Sequence, residues 1–416
     1  MTMTGRGGAP RRAAFARRYP RRVRSVVLQC ASAAIAQTLM KIFQVLEFNQ
    51  FNTGSVHQMF QAATGLRERG HSVSVISRPD ATLEARAIEK AVHFHGFPFR
   101  NQFDVATVRK LRRLIRAEKP DVIHVHKGVS HALALAATWR EPVGAFVVNR
   151  GVSFPLDLWN RGKYRTQRVD RVVTVCQQIK DVIVESGKLP EEKVQVVYAG
   201  TDVTQFDPAK WDARAFRREK NVGDDRFVVA QVGVRDWKGW KELIDSVSDV
   251  LPSHPNVHLL LIGCRGEKEK SEVMTYASQV GIAEHVSAIE YRTDMPNVFA
   301  SCDAVVDASW AGTGITGTIR EAMAMEKPVI ATDAGGNAEL VSSPDVGWLI
   351  PMKNRAALTG ALLKVIGNAG RAAEVGRNAR QHVVQGFSKE LRITRLQQLY
   401  EEILNVGRAS ARPGTG

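Results

Sequence analysis

Cysteine is scarce and poorly placed for a framework. Cys30, Cys176, Cys264 and Cys302 stand far apart and form no CxxC pair, which argues against a zinc site or disulfide scaffold and favours a reducing compartment. No run of about 18 apolar residues occurs, so no membrane-spanning helix is expected. No GxGxxG follows the first strand, which disfavours a dinucleotide oxidoreductase, and no DxD triplet is present. Acid and lysine are absent from residues 1–39, where eight arginines stand. Half of the formal charge of +16 therefore belongs to that segment. The remaining surplus suits nucleic acid, anionic lipid or phosphorylated ligands and does not choose among them.

Within residues 1–39, Arg17, Arg18, Arg21 and Arg22 precede VVLQCASAAIAQTLM, which imitates a signal peptide. Gln29 and Gln37 interrupt it, and the expectation is a disordered N-terminal extension, with Met40 opening the folded protein.

A chain of 416 residues is long for one core. From Met40 strands and helices alternate. MKIFQVLEF, SVSVIS, DVIHVH, GAFVVN and RVVTVC have strand length and character. A helix is expected from about Val56 to Arg69, with Met59, Phe60, Ala63 and Leu66 at helical spacing, and another in VRKLRRLIRAEKPD. The rhythm lapses near YAGTDVTQFDPAKWD, then resumes with RFVVAQVGV, VHLLLIG, VSAIEY, DAVVDAS and PVIATD. This predicts an α/β protein with two doubly wound parallel-sheet domains. Their expected extents are 40–205 and 206–388, followed by a C-terminal helix and tail over 389–416. That helix would carry Leu391, Ile393, Leu396, Leu399 and Ile403 on or near one face and pack back across the domains.

Ligands of such sheets sit beyond the carboxyl ends of strands, so the chemistry is expected between the two domains. In SWAGTGITGTIREAMA, Gly312, Gly314 and Gly317 let the backbone approach a ligand, and Thr313 and Thr316 add hydroxyls. The helix Thr318–Met325 would then turn its free N–H groups toward a diphosphate. Glu321, early in that helix, suits two ribose hydroxyls or simple dipole compensation. In VGVRDWKGWKEL, Arg235 and Lys238 flank a turn after a strand and suit a pyrophosphate or merely a solvated loop. His124 and His126 share one side of a strand. A metal pair is conceivable, and a hydrogen-bonding or structural role is favoured. Arg109, Lys110, Arg112, Arg113 and Arg116, with WNRGKYRTQR beside them, fit an anionic membrane surface, RNA, or a solvated face.

Taken in order, these segments resemble the retaining glycosyltransferases of family four over residues 40 to about 405. TGSVHQMFQAATGLRERGHSVSVI is similar to that family's first glycine turn and helix, with Gly54 retained and Thr53 in place of a glycine. PDVIHVHKG, KVQVVYAGTDVTQFDP, VGVRDWKG, LLLIGCRGE with YRTDMPNVFASCDAVVDAS, and REAMAMEKPVIATDAGGNAELV are similar to five further family segments. The resemblance implies a GT-B fold with two Rossmann-like domains facing a cleft. It implies that Gly54, Arg235, Lys238 and the amides around Gly314, Ile315 and Thr316 hold the donor diphosphate. Glu321 would bind the ribose, with Gly263, Arg292 and Thr293 near the ribose and base, and His126, Arg150 and Thr313 would stand at the reacting centre. Two departures accompany it. Thr313 falls where the family usually has the first of two glutamates separated by seven residues, the second being Glu321, and Arg150 where many relatives have a histidine.

The expected function is transfer of a sugar from a nucleoside-diphosphate sugar to a lipid-linked or polysaccharide or lipopolysaccharide-precursor acceptor, with no cofactor and no metal. No nucleic-acid partner is expected. The expected location is cytoplasmic, with peripheral contact at the inner face of the plasma membrane. The alternatives are a sugar-nucleotide binder that has lost turnover, motivated by Thr313 and Arg150, and another two-domain α/β enzyme such as a sugar-nucleotide epimerase.

Overall fold

The computed structural model of the chain describes residues 39–50, 53–311 and 314–410. The arginine-rich extension, apart from Leu39, and both Gly312 and Thr313 lie outside them. The first sheet holds β1 (Lys41–Val45), β2 (Ser72–Ser77), β3 (His93–Gly96), β4 (Val122–Val125), β5 (Ala145–Arg150), β6 (Arg171–Thr174) and β7 (Val194–Val196). Their spatial order is β3-β2-β1-β4-β5-β6-β7, and every pairing is parallel. The second sheet holds β8 (Phe227–Val232), β9 (Val257–Cys264), β10 (Val286–Glu290), β11 (Ala304–Asp307), β12 (Val329–Thr332) and β13 (Trp348–Ile350). It is also all parallel, in the order β10-β9-β8-β11-β12-β13.

Helices cover both faces of each sheet, so inner strands such as β4, β11 and β12 are buried along their whole length and read as continuous apolar runs. The expected strands are present. Three further ones, β3, β7 and β13, are short and lack that signature; HFHG, VQV and WLI are paired only because a neighbour offers an open edge. The helix expected over 56–69 spans Gly54–Glu68, because the glycine turn itself begins it. Among the described residues no helix is long and apolar enough to cross a membrane.

The C-terminal helix, Lys389–Ser410, returns to the first sheet. Its Ile393, Leu396, Leu399, Tyr400 and Ile403 are buried with Ile42, Met59 and Val147. The chain thus passes between the sheets twice, and the passages are tied together. Thr201 donates its N–H to the Phe387 carbonyl at 2.9 Å, and Lys389 donates to the Thr201 carbonyl at 2.8 Å. The halves also touch through Glu339, whose carboxylate accepts from the amides of Gln177 and Gln178 at 2.8 and 3.2 Å. Those are the first amides of the helix Gln177–Gly187, so one half caps a helix of the other.

Candidate active site

Strand order reverses between β1 and β4 in the first sheet and between β8 and β11 in the second. Loops leaving the strands at such a point diverge to opposite faces and open a crevice. Here the two crevices face one another and enclose a cavity of about 960 Å³ lined from both halves.

On the wall from the second sheet, β11 leads through a loop into the helix Gly317–Ala324. Thr316 precedes that helix without a side-chain cap, so its first N–H groups stay unsatisfied within the helix. Gly317 and Thr318 line the cavity with Gly314 and Ile315, and together they form a polar end with positive character. The loop is held from behind: Asn337 Oδ1 accepts from the Thr316 amide at 3.2 Å, and the Gly314 carbonyl accepts from the Gly336 amide at 3.3 Å. A side chain at Gly314 would place its Cβ 2.9 Å from Val175 across the cleft, so the loop packs this closely only with glycine there. One turn into the helix, Glu321 also lines the cavity. Burial pushes its carboxyl up to about 7, against the opposing pull of Arg320. Gly263, Arg292 and Thr293 stand at the ends of β9 and β10 and line the same wall. Arg292 is already engaged, with Glu219 and Asp294 each at 2.7 Å.

On the facing wall, Gly54 opens its helix with open space where a Cβ would lie. Glu47, just past β1, accepts from the amides of Val129 and Ser130 at 3.1 Å and so fixes the N-terminus of the helix Gly128–Ala137. His124 and His126 do project to one side, with rings stacked 4.4 Å apart. His124 is buried behind the wall with Nδ1 2.6 Å from the Tyr400 hydroxyl. His126 lines the cavity with Nε2 2.6 Å from Gln44 Oε1. An amide oxygen only accepts, so Nε2 of His126 carries the proton and Nδ1 is the ring's basic atom. Burial lowers both imidazoles, His124 to about 3, so both are neutral at physiological pH. Arg150 lines the cavity and donates to the Phe154 carbonyl at 2.6 Å.

The cavity therefore brings together Gly54, His126, Arg150, Gly263, Arg292, Thr293, Gly314, Ile315 and Glu321. Three expected diphosphate ligands do not line it. Thr316 is turned inward, and its amide is committed to Asn337. Arg235 lies 3.4 Å from Glu269, and Lys238 lies 3.7 Å from the buried Asp307. Their turn is nonetheless tightly specified, since Gly239 has φ +66° and any Cβ there would strike the Ala308 carbonyl. Gly317 and Thr318, expected from the glycine loop and the helix start, line the cavity too. Sequence reasoning missed Glu47, His57, Gln58, Arg320 and Arg392, which also line it and had no local signal.

The chain matches the family described as Glycosyltransferase Family 4 over residues 53–205 and the one described as Glycosyl transferases group 1 over residues 212–382. It belongs to the family four glycosyltransferases. A relative from Escherichia coli, named UDP-Gal:alpha-D-GlcNAc-diphosphoundecaprenol alpha-1,3-galactosyltransferase, is 23% identical over 320 residues, covering 72% of this chain and 80% of its own length. Among solved structures, a glycosyltransferase from Rickettsia africae ESF-5 superposes with a TM-score of 0.81 at 20% identity, covering 88% of this chain and 99% of its own. HepE (Alr3699) from Anabaena, solved in complex with UDP, does so with a TM-score of 0.75 at 21% identity, covering 88% of this chain and 100% of its own. The architecture of this glycosyltransferase is thus the GT-B fold, with two Rossmann-like halves about a cleft.

Proposed function

We propose that the protein transfers a sugar, with retention of anomeric configuration, from a nucleoside-diphosphate sugar to a lipid-linked or polysaccharide-precursor acceptor, without a metal. The observation that carries this is the uncapped helix start at Gly317 facing the cavity, with a half-buried carboxylate, Glu321, one turn behind it. The helix end is complementary to a departing diphosphate, and the carboxylate to a pair of ribose hydroxyls. The chemistry breaks the bond between the anomeric carbon and the diphosphate and forms one to an acceptor oxygen. The acceptor's proton passes to the leaving diphosphate, so the protein's main task is to stabilise that leaving charge. His126, neutral and held by Gln44, presents an acceptor atom, Nδ1, for a sugar hydroxyl. UDP is the first donor nucleotide to test, because the E. coli relative is named for UDP-Gal and HepE was solved with UDP.

A second reading, a sugar-nucleotide binder without turnover, is favoured by Arg150 standing in the cavity where many relatives have a histidine. Incubation with UDP-, GDP- and ADP-sugars, following nucleotide release with and without glycan or lipid-linked acceptors, separates the two. Acceptor-dependent release from one donor is expected. Tight nucleotide binding with no release on any acceptor would favour the binder instead.

A further inference from the structure

The donor reading leaves a group of cations in the cleft without a task. Arg320 and Arg392 are each 3% exposed and both line the cavity. They come from opposite halves of the molecule, Arg320 from the helix after β11 and Arg392 from the C-terminal helix packed on the first sheet. Arg320 donates through Nε to Thr201 Oγ1 at 3.2 Å, and Arg392 through Nη1 to the Gln58 carbonyl at 2.9 Å. Gln58 in turn grips both the N–H and the carbonyl of Gly200 at 3.1 Å. Both guanidinium groups are therefore anchored where the chain passes between the halves, and His57, next to Gln58, lines the cavity beside them.

Their charge is only partly compensated there. Arg320 Nη1 and Arg392 Nε are buried and make no hydrogen bond among the described residues. Among the described residues, Glu321 is the carboxylate acting on Arg320, and Tyr400 the acidic group acting on Arg392. Asp202, the nearby acid that acts on His57, is held by Lys389 at 3.1 Å. Arg86, at the cavity wall, adds to the positive field on His57. Two buried guanidinium groups that share one neighbouring carboxylate are disfavoured unless something further anionic joins them. Two other cations of the second half, Arg235 and Lys238, are matched by Glu269 and Asp307.

We propose that this end of the cleft is a second anion subsite, in which His57, Arg320 and Arg392 hold a phosphate or carboxylate group of a substrate, apart from the donor diphosphate. The assignment to a substrate rests on the transferase reading above; the site itself does not. Arginine forks suit either oxyanion, and ligands recruiting Arg320 and Arg392 together would draw the two halves onto one group. The charge belongs either to the acceptor or to an acidic donor sugar.

The test is calorimetry at pH 8 and constant ionic strength with three probes: inorganic phosphate, UDP-glucose and UDP-glucuronate. Phosphate should bind the full chain with UDP-glucose already present, its affinity changed less than threefold. Arg392→Gln should weaken phosphate at least tenfold while leaving UDP-glucose within twofold. His57→Gln, at a residue outside the core, should weaken phosphate about threefold and serves if Arg392→Gln does not fold. In the wild type, addition of phosphate should also raise the His57 pKa in an NMR titration. Preference for UDP-glucuronate over UDP-glucose by tenfold or more, lost in Arg392→Gln, assigns the charge to the donor; equal affinities assign it to the acceptor. Displacement of phosphate by UDP-glucose one for one, or unaltered phosphate binding in the variants, would overturn the subsite. Phosphate binding without any binding of a nucleotide sugar would sink the transferase reading and leave the subsite standing.

Discussion

Glu321→Gln offers a test in which stability and binding should move in opposite directions. Burial raises the Glu321 carboxyl from 4.5 to about 7. Since its folded pKa is the higher one, the favourable contribution of the protonated group is fully present below pH 4.5. It is lost as pH rises through 7. A rise of that size corresponds to roughly 3 kcal/mol at alkaline pH. Glutamine keeps the shape and polarity but cannot ionise. Urea melts at pH 4 should therefore place the ligand-free variant within about 0.5 kcal/mol of wild type, and at pH 8.5 make it more stable by about 3 kcal/mol. Binding should go the other way. A carboxylate accepting from ribose hydroxyls makes charge-assisted bonds of about 1.5–3 kcal/mol, so the variant should bind UDP-glucose roughly 10- to 100-fold more weakly at pH 8. UDP-glucose does not titrate near neutrality. Its affinity for wild type should accordingly climb between pH 6 and 8, while that of the variant stays flat. A variant no more stable than wild type at pH 8.5 would refute the burial argument. Unchanged nucleotide affinity would remove Glu321 from the ribose site.

Glu339→Ala should lower stability by about 1–2 kcal/mol in urea melts, since it uncaps the helix Gln177–Gly187 and deprives Tyr198 of a partner 2.9 Å away; an unaltered midpoint would show that this contact between the halves carries no weight. Membrane contact is expected to centre on Leu158 and Trp159, 77% and 95% exposed, beside the basic residues of their helix. Replacing both by glutamate should cut sedimentation with anionic vesicles at least fivefold and spare turnover on a soluble acceptor, and equal sedimentation would place the contact elsewhere.

The basic surface shows how composition overstates free charge. Arg112 donates to the carbonyls of Ala136 and Ala137, Arg116 pairs with Glu141 at 2.5 Å, and Arg168 donates to Thr138 at 2.8 Å. Arg235 and Lys238 repeat the lesson inside the fold. Two cations after a strand suit a pyrophosphate in sequence, yet each has an acid beside it that lies 34 and 69 positions further along the chain.

What the sequence determined by itself was the sheet and its polarity. Buried parallel strands are mostly apolar and helices must alternate with them, and both patterns are local, so β1, β2, β4, β5, β6, β8, β9, β10, β11 and β12 were legible. The glycine-rich loop before Gly317 and the carboxylate at Glu321 were legible for the same reason: a strand, a tight turn and a helix start lie within one short stretch. Edge strands β3, β7 and β13 were not, because pairing with a neighbour decides them rather than their own composition. The cluster of His57, Arg320 and Arg392 was decided by tertiary structure alone. His57 stands 263 and 335 positions before the two arginines, which are themselves 72 apart, and they meet because the C-terminal helix crosses back onto the first sheet. Nothing in the immediate surroundings of any one of them marks a buried cation, since burial and charge compensation are properties of the packed chain.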